Sequence, residues 1–290
     1  MSALLALLKA APSVEVLVIG DAVLDGWLSG PTSRLSREAP VPVVDVRDEE
    51  YAAGGAANTA VNLASLGARV RFLSVVGDDD DGVLLRRVLR GAGVSVEDVL
   101  VEPGRRTCAK RRISAAGHMV TRYDTGDVGP LAPATLTRLA TRLHRRAESA
   151  DAVVVSDYGL GVLPDAAVGQ VASLRHPCVV VDARAPLRWA PVRPRAVKPN
   201  FDEVSPLLLP GTERAERVAA SGPRVLEALG AEFACVTLDT EGAVVLTASD
   251  EPVRLHARPQ PHTHAAGAGD SFTAALAAGL AAGGRPALAA

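Results

Sequence analysis

Short runs of β-branched residues alternate with longer segments rich in alanine and leucine along most of the chain, and this alternation restricts the fold more than any other feature. The predicted strands cover residues 14–20, 70–77, 151–157, 178–183, 195–200 and 234–239. The predicted helices cover residues 56–66, 82–91, 133–148, 165–174 and 212–229. Near-continuous apolar strands separated by helices are typical of a parallel sheet with helices on both faces. The sequence therefore predicts an α/β fold with a mostly parallel central sheet.

Two other segments have a different pattern. Residues 41–48 and 107–124 alternate apolar and polar side chains, as half-exposed antiparallel strands do. We expect these segments to form a small antiparallel sheet that projects from the main body as a lid. Because exposed strand edges can pair with a second copy of the chain, the lid is also where a homodimer is expected.

Length, charge and cysteine usage limit the class of protein. The 290 residues, 48% of them hydrophobic, are enough for a sizeable core, and this length allows one large domain or two small ones. The chain has no linker-like segment, and we expect a single domain over residues 1–290. A formal net charge of −2 gives no basic field for nucleic acid or an anionic membrane. Three scattered cysteines form no disulfide framework, which fits a reducing cytoplasm.

The sequence contains no obvious targeting or membrane-spanning segment. Lys9 follows the first apolar hexad, whereas a secretory signal carries its positive charge before the apolar region. No uninterrupted apolar run reaches the roughly 18 residues of a membrane span. We therefore expect a cytoplasmic protein with no membrane partner.

Polar residues stand at the carboxyl ends of the predicted strands, where open parallel sheets bind their ligands. These residues are Asp21, Ser156, Asp157, Asp182, Asn200, Thr237 and Asp239. Each of them alone is better explained by a helix cap or a turn. Taken together, they indicate a binding site at this edge of the sheet.

The glycines differ from the common phosphate-binding loops. Neither a Walker motif nor G-x-G-x-x-G after the first strand is present. Instead, Gly267, Ala268, Gly269 and Asp270 open a late alanine-rich helix, and the amide groups of a helix N-terminus favour an anion. Because a carboxylate repels a bound anion, Asp270 suggests a base that removes a proton from whatever attacks that anion.

Three short motifs resemble those of the ribokinase-like (PfkB) carbohydrate kinases. They are Gly54-Gly-Ala-Ala-Asn58, Asn200-Phe-Asp-Glu203 and Gly267-Ala-Gly-Asp270, in that order. The segments at 20–25 and 30–43 resemble more narrowly the kinases of D-glycero-β-D-manno-heptose 7-phosphate. The resemblance implies a ribokinase-like three-layer sandwich and transfer of a phosphoryl group from ATP, with Mg²⁺, to O1 of that heptose, giving the 1,7-bisphosphate.

The resemblance also implies catalytic and nucleotide-binding roles. Asp270 would be the general base, and the backbone amides of Gly267, Ala268 and Gly269 would stabilise charge on the transferred group. Asn200 and Glu203 would act on Mg²⁺ through water; the competing explanation for Glu203 is a favourable position in a first helical turn. The nucleotide pocket would be lined by Thr237 and Gly242, the latter of which a simple turn also explains.

Further residues are candidates for the sugar phosphate. Asp25, Gly54, Gly55 and Asn58 would bind the sugar hydroxyls through side-chain and backbone groups. Arg34 and Lys110 would bind the distal phosphate. Arg112 and Arg122 are better explained as solvated charges of the lid.

Some positions depart from the pattern of these kinases. Leu160 replaces a usual lysine, and His264 and Ala266 replace residues associated with a monovalent-cation site in some relatives. The C-terminal segment is short for the family, and we expect no nucleotidyltransferase domain. Two alternatives therefore stay open: a kinase for another sugar or sugar phosphate, or a non-catalytic homologue that binds sugar or nucleotide.

Overall fold

The computed structural model describes residues 2–258 and 267–290. Its strands are β1 (Glu15–Gly20), β2 (Ala22–Gly30), β3 (Thr32–Leu35), β4 (Pro42–Val44), β5 (Asp48–Gly55), β6 (Arg69–Gly77), β7 (Val99–Glu102), β8 (Ala109–Ala115), β9 (His118–Thr125), β10 (Ala152–Asp157), β11 (Val179–Ala183), β12 (Ala196–Val197), β13 (Phe233–Thr237), β14 (Ala243–Thr247) and β15 (Val253–Leu255). Its α-helices are α1 (Ser2–Ala10), α2 (Ala56–Ser65), α3 (Asp80–Gly91), α4 (Pro133–Ala147), α5 (Asp165–Ser173), α6 (Phe201–Val204), α7 (Arg214–Ala220), α8 (Gly222–Leu229), α9 (Ala268–Ala281) and α10 (Pro286–Ala289).

A nine-stranded sheet forms the middle layer, in the order β15-β14-β13-β12-β11-β10-β1-β6-β7. The strands from β7 to β13 are parallel, and β14 and β15 continue the sheet antiparallel. The parallel order follows from the helical crossovers, which return the chain to the same edge of the sheet before each new strand. The predicted α/β fold with a mostly parallel sheet is confirmed.

Alternate side chains of β1 face two separate hydrophobic cores. Val16 and Val18 pack with α2, α3 and α9, whereas Leu17 and Ile19 pack with α4, α5, α7 and α8. All four side chains are at most 1% exposed. Burial on both faces explains why the strand has an unbroken apolar sequence, and it produces the three-layer arrangement of helices, sheet and helices.

A small four-stranded sheet, in the order β5-β2-β8-β9, stands beside the main sheet. Its two outer pairings are antiparallel, and its central pairing, β2 with β8, is parallel. Strand β2 follows β1 after a single residue, so the chain passes directly from the main sheet into the small one. We call this second sheet the lid.

The lid differs in detail from the prediction. The predicted strand at 41–48 is divided: Pro42–Val44 pairs with Thr32–Leu35 in a separate hairpin, and the lid strand begins only at Asp48. Strand β2, which has no counterpart among the predicted strands, pairs with both β5 and β8. Residues 107–124 correspond to the hairpin of β8 and β9.

Two other boundaries also differ from the prediction. The helix predicted at 212–229 is two helices that meet at Ser221, because Pro223 lacks the amide hydrogen needed inside a continuous helix. The strand predicted at 195–200 is shortened to the two residues of β12, between Pro194 and Pro199, and Asn200 adds an isolated bridge to Thr237. Within the described parts of the chain, no helix is long and apolar enough to span a bilayer.

Candidate active site

Asp270 lies in the first turn of α9, with its residue only 5% exposed. The Asn58 side-chain amide donates to Oδ2 of this carboxylate at 2.7 Å, and the Tyr158 hydroxyl donates to Oδ1 at 2.5 Å. Burial raises the pKa of the Asp270 carboxyl group, and the hydrogen bonds from Tyr158 and Asn58 oppose this rise. The group is thus a well-ordered carboxylate whose proton affinity exceeds that of a solvated aspartate.

The opening of α9 is built around Gly267, whose φ of +84° is in the left-handed region. A Cβ at this position would stand 2.6 Å from the Asn58 amide nitrogen, so the close approach of Asn58 also requires glycine. Ala268 and Gly269 follow in the exposed first turn, where amide hydrogens have no partner within the helix. Amides in this position are chemically suited to an anion, and they lie immediately beside Asp270.

Lys198 adds a positive charge to the same place. Its ammonium group lies 3.4 Å from the position of a Cβ at Gly269, and the residue is 6% exposed. Asp182 forms an ion pair with this lysine at 3.1 Å and accepts a hydrogen bond from the Thr273 hydroxyl at 2.7 Å. The lysine is therefore held at the mouth of α9 by a contact from the neighbouring strand.

Asp25 and Gly54 meet across the pairing of β2 with β5. A Cβ at Gly54 would stand only 2.2 Å from Oδ2 of Asp25, so a side chain at position 54 and the carboxylate exclude each other. Gly55, with a φ of +58°, ends β5, and a Cβ there would stand 2.6 Å from the Asp21 carbonyl oxygen. The two glycines thus allow the lid strand to pass close to the end of β1 and into α2.

The cationic side chains of the lid differ in their partners and in their exposure to solvent. Lys110 is the neighbour of Asp25 in the pairing of β2 with β8, and its ammonium group is 5.8 Å from the centre of the Tyr158 ring. Arg112, interpreted from the sequence as a solvated charge, instead donates to Asp25 at 2.9 Å, with its side chain 20% exposed. Arg122 is about half exposed and donates to Asp124.

Arg34 lies apart from these cations. It is an exposed residue of β3, in the separate hairpin with β4. The structure thus brings Lys110 and Arg112 next to Asp25 and leaves Arg34 on the surface.

Asn200 and Glu203 form a capping box at the start of α6. Oδ1 of Asn200 accepts the Glu203 amide at 2.9 Å, and Oε2 of Glu203 accepts the Asn200 amide at 2.8 Å. Burial raises the pKa of the Glu203 carboxyl group. Glu203 therefore has a local role in capping α6, as its position in a first helical turn suggests. Its carboxylate oxygens have further lone pairs, which are hard oxygen donors suited to a hydrated Mg²⁺.

Thr237 and Gly242 lie beside this pair. Thr237 forms a bridge with Asn200, and its amide donates to the Pro199 carbonyl oxygen at 2.9 Å. Gly242 has a φ of +93°, and a Cβ there would clash with the Leu255 carbonyl oxygen at 2.0 Å. The tight turn alone thus requires glycine at 242. Across residues 2–258 and 267–290, no group of three or more histidine, cysteine or acidic side chains is placed to hold a metal.

Two residues of this region were not among the predicted site residues. Tyr158 follows the predicted strand end at Asp157, and Lys198 is one of only three lysines in the chain. Their positions beside Asp270 and Gly269 result from contacts between distant parts of the sequence, which no local pattern reports. Leu160, where a lysine was expected, donates its amide to Asp21 at 3.1 Å. His264 and Ala266 lie outside the described residues.

Known proteins share much of this sequence. Residues 14–289 match the pfkB family of carbohydrate kinases. The bifunctional protein HldE of Paramagnetospirillum magneticum is 32% identical over 286 residues, covering 98% of this chain and 59% of the relative. HldE of Pelobacter propionicus is 34% identical over 284 residues, covering 93% of this chain and 56% of the relative. The chain thus spans little more than half the length of these relatives.

Solved structures show the same fold. Arabidopsis thaliana ribokinase complexed with ribose and ATP aligns with a TM-score of 0.70 at 20% identity, covering 95% of this chain and 88% of that one. Phosphofructokinase-2 from Escherichia coli in complex with fructose-6-phosphate aligns with a TM-score of 0.70 at 18% identity, covering 94% and 88%. The match over nearly the whole chain, together with the ribokinase-like fold, shows that this chain belongs to the pfkB family of carbohydrate kinases.

Proposed function

We propose that this chain is an ATP-dependent sugar kinase that phosphorylates O1 of D-glycero-β-D-manno-heptose 7-phosphate to the 1,7-bisphosphate. The observation that carries the proposal is the buried Asp270 carboxylate at the mouth of α9, beside free helix amides and the ammonium group of Lys198. Transfer of a phosphoryl group to an alcohol is served by a base, a set of anion-binding amides and a cation placed near one another.

In this mechanism Asp270 accepts the proton of the sugar hydroxyl, whose oxygen attacks the terminal phosphorus of ATP while the bond to ADP breaks. The amides of Gly267, Ala268 and Gly269, with Lys198, stabilise the charge on the transferred group. Loss of a positioned base typically costs 10²- to 10⁴-fold in rate, and loss of one such donor costs roughly 3 to 4 kcal/mol. Both contributions are large enough to account for catalysis.

The nucleotide would be bound near Asn200, Glu203, Thr237 and Gly242. The lone pairs that the capping box leaves on the Asn200 and Glu203 side-chain oxygens fit a hydrated Mg²⁺ held through water. When bound, this ion would neutralise charge on the terminal phosphates of ATP. An ATP-dependent enzyme of this kind would work in the cytoplasm.

The sugar would lie between Asp25 and Asp270. Asp25 and Asn58 would bind its hydroxyl groups, with Gly54 and Gly55 allowing close approach of the backbone. Lys110 and Arg112, which lie beside Asp25, would contact the distal phosphate. Arg34, exposed on the separate hairpin of β3 and β4, is a further candidate for this phosphate. The similarity to HldE proteins supports the heptose, and the fructose-6-phosphate complex of the E. coli relative supports a phosphorylated sugar.

We further propose that residues 1–290 act as one kinase domain and that two chains associate through the lid. The support for association is an exposed apolar surface on the lid, which includes Met119 and Tyr123 at 66% and 42% exposure. Exposed apolar side chains grouped on a sheet edge are typical of an interaction surface.

The test is product analysis after incubation with ATP and Mg²⁺. The substrate panel contains heptose 7-phosphate, fructose 6-phosphate and the corresponding free sugars, with ADP release as the rate and phosphorus NMR as the product assay. We expect the highest kcat/KM for heptose 7-phosphate and a new phosphate coupled to the anomeric proton. A higher kcat/KM for another sugar would identify that sugar as the substrate in place of the heptose. If none of the sugars causes ADP release, the proposal that the chain is a kinase is rejected.

A non-catalytic sugar or nucleotide binder is the second candidate, favoured by Leu160 in the place of a lysine. Calorimetry separates it from the kinase, because a binder would take up nucleotide or sugar phosphate without turnover.

A further inference from the structure

Tyr158 makes a contact with the proposed base that the proposed mechanism does not use. Its hydroxyl donates to Oδ1 of Asp270 at 2.5 Å, while Asn58 donates to Oδ2 at 2.7 Å. Burial and the charge of Asp270 raise the pKa of the Tyr158 phenol. The phenol therefore stays protonated throughout the physiological pH range, and its hydrogen is available to donate to Asp270.

The backbone of Tyr158 is itself held by a buried carboxylate. Oδ2 of Asp21, a residue 1% exposed, accepts the amides of Tyr158 at 2.8 Å and Leu160 at 3.1 Å. Oδ1 of Asp21 accepts the Val162 amide at 3.1 Å. The segment from 158 to 162 is therefore anchored to the carboxyl end of β1.

The ring of Tyr158 is also enclosed. The ammonium group of Lys110 lies 5.8 Å from its centre, on the lid. On the side of α2, the ring approaches to 3.6 Å from the position of a Cβ at Gly55. With its backbone, ring and hydroxyl all in contact, this side chain has little freedom to move away from Asp270.

We infer that Tyr158 is a positioning residue for the proposed base: it fixes one oxygen of the Asp270 carboxylate and so orients the other towards the acceptor hydroxyl. The inference rests on the proposed kinase function. Orientation of a reacting group within a fraction of an ångström has a large effect on rate, and a misplacement of about 1 Å can cost on the order of 10²-fold. The hydrogen bond also favours the charged form of Asp270, the form that can accept a proton.

Other groups act on the same carboxyl group, and their effects set the expected sign. Burial and the negative charge of Asp182 raise the pKa of Asp270, whereas Tyr158, Asn58 and the positive charge of Lys198 lower it. The Thr59 hydroxyl donates to Oδ1 of Asp270 only over a long distance of 3.4 Å. Removal of the Tyr158 hydroxyl takes away one of the interactions that lower the pKa of Asp270. The pKa-raising effect of burial then has less to counter it, and the pKa of Asp270 rises.

The first measurement does not depend on turnover. In protein labelled with ¹³C at aspartate side chains, the Asp270 resonance is assigned by its loss in Asp270→Asn and titrated against pH. We expect Tyr158→Phe to move its midpoint upward by about one pH unit. Tyr123→Phe removes a hydroxyl from a tyrosine that is 42% exposed and should leave the midpoint unchanged.

Kinetics provide the second measurement. Tyr158→Phe should lower kcat about tenfold at pH 7, move the acidic limb of kcat/KM to higher pH and leave the KM for ATP unchanged. A fluorinated tyrosine at position 158, which is a stronger donor of nearly the same size, should move the resonance midpoint downward and so gives a test without loss of packing.

An unchanged midpoint in both variants at position 158 would overturn the inference. So would loss of activity with an unmoved acidic limb and a raised KM for ATP, which would indicate a structural role. If the unmodified protein turns over none of the sugars, the proposed function fails, while the titration still decides whether Tyr158 acts on Asp270.

Discussion

At position 54, the backbone is close enough to Asp25 that the carboxylate occupies the place of a first side-chain carbon, 2.2 Å from the position of a Cβ. The need for glycine here is steric and not conformational, since Gly54 has an ordinary extended backbone as part of β5. From the sequence, the family resemblance is the one indication that Gly54 and Asp25 belong to the same site. The structure adds the reason that the two positions depend on each other.

Gly54→Ala is expected to displace Asp25 and raise the KM for the sugar about tenfold, equivalent to about 1.4 kcal/mol of lost binding. The KM for ATP should not change. Gly169→Ala is the matched control, because a Cβ at this exposed position of α5 meets nothing within 4 Å. This control should stabilise the protein by about 0.5 to 1 kcal/mol and leave both KM values unchanged. A sugar KM that stays the same in Gly54→Ala would contradict the placement of Asp25 at the sugar.

At the scale of elements, prediction was most accurate where an element is buried on both faces. Strand β1 and its parallel neighbours have continuous apolar sequences, so their positions follow from local composition. Strand β2 contains Asp25, Gly26 and Gly30, residues that are unfavourable in strands, and it is formed by pairing with β5 and β8 far along the chain. Local composition therefore does not predict it.

In the candidate site, too, the features that depend on local sequence could be predicted and those that depend on distant contacts could not. The glycine motif at α9 could be interpreted from local chemistry, because helix openings and anions are linked by backbone geometry. Tyr158 and Lys198 could not be found in this way, since their roles depend on contacts with Asp270 and Gly269, which are more than 70 residues away in sequence. Such contacts are visible only in the folded chain.

Gly267, the residue before α9, is required both for its positive φ and for the close approach of Asn58. A matched pair of variants tests these two requirements separately. Gly267 and Gly283 have nearly the same φ, +84° and +83°, but a Cβ at Gly283 meets nothing within 4 Å. Alanine at either position should cost about 1 kcal/mol or more of stability, measured by urea unfolding. Only Gly267→Ala should also lower kcat, by at least tenfold, because it displaces Asn58 from Asp270. Equal kcat values in the two variants would mean that the opening of α9 is not part of the site.

At the scale of the whole molecule, the lid carries apolar side chains that are exposed in the described part of the chain. Strand β9 is at the edge of the lid sheet, and Met119 on it is 66% exposed. An exposed apolar edge strand without a partner is an aggregation hazard, which proteins usually avoid. Pairing with a second lid would cover this edge.

We therefore expect a dimer at micromolar concentration in analytical ultracentrifugation, and Met119→Lys should convert it to a monomer. Val83→Lys places the same charge on α3 at a position of similar exposure, 64%, and should leave the dimer intact. A monomeric unmodified protein, or a dimer that survives Met119→Lys, would show that the lid edge is not the interface.

The central claim for the molecule is that Asp270 removes the proton from the sugar hydroxyl, and Asp270→Asn tests it most directly. This variant keeps the size of the side chain and removes its ability to act as a base. Asp250→Asn, at an exposed turn, provides a control with the same change in charge. The single-turnover rate with saturating ATP and the sugar identified by the substrate panel is the measurement. We predict a fall of about 10²- to 10⁴-fold in Asp270→Asn, with the Kd for ATP little changed and the control unaffected. A rate in Asp270→Asn within a few-fold of the unmodified protein would contradict the account.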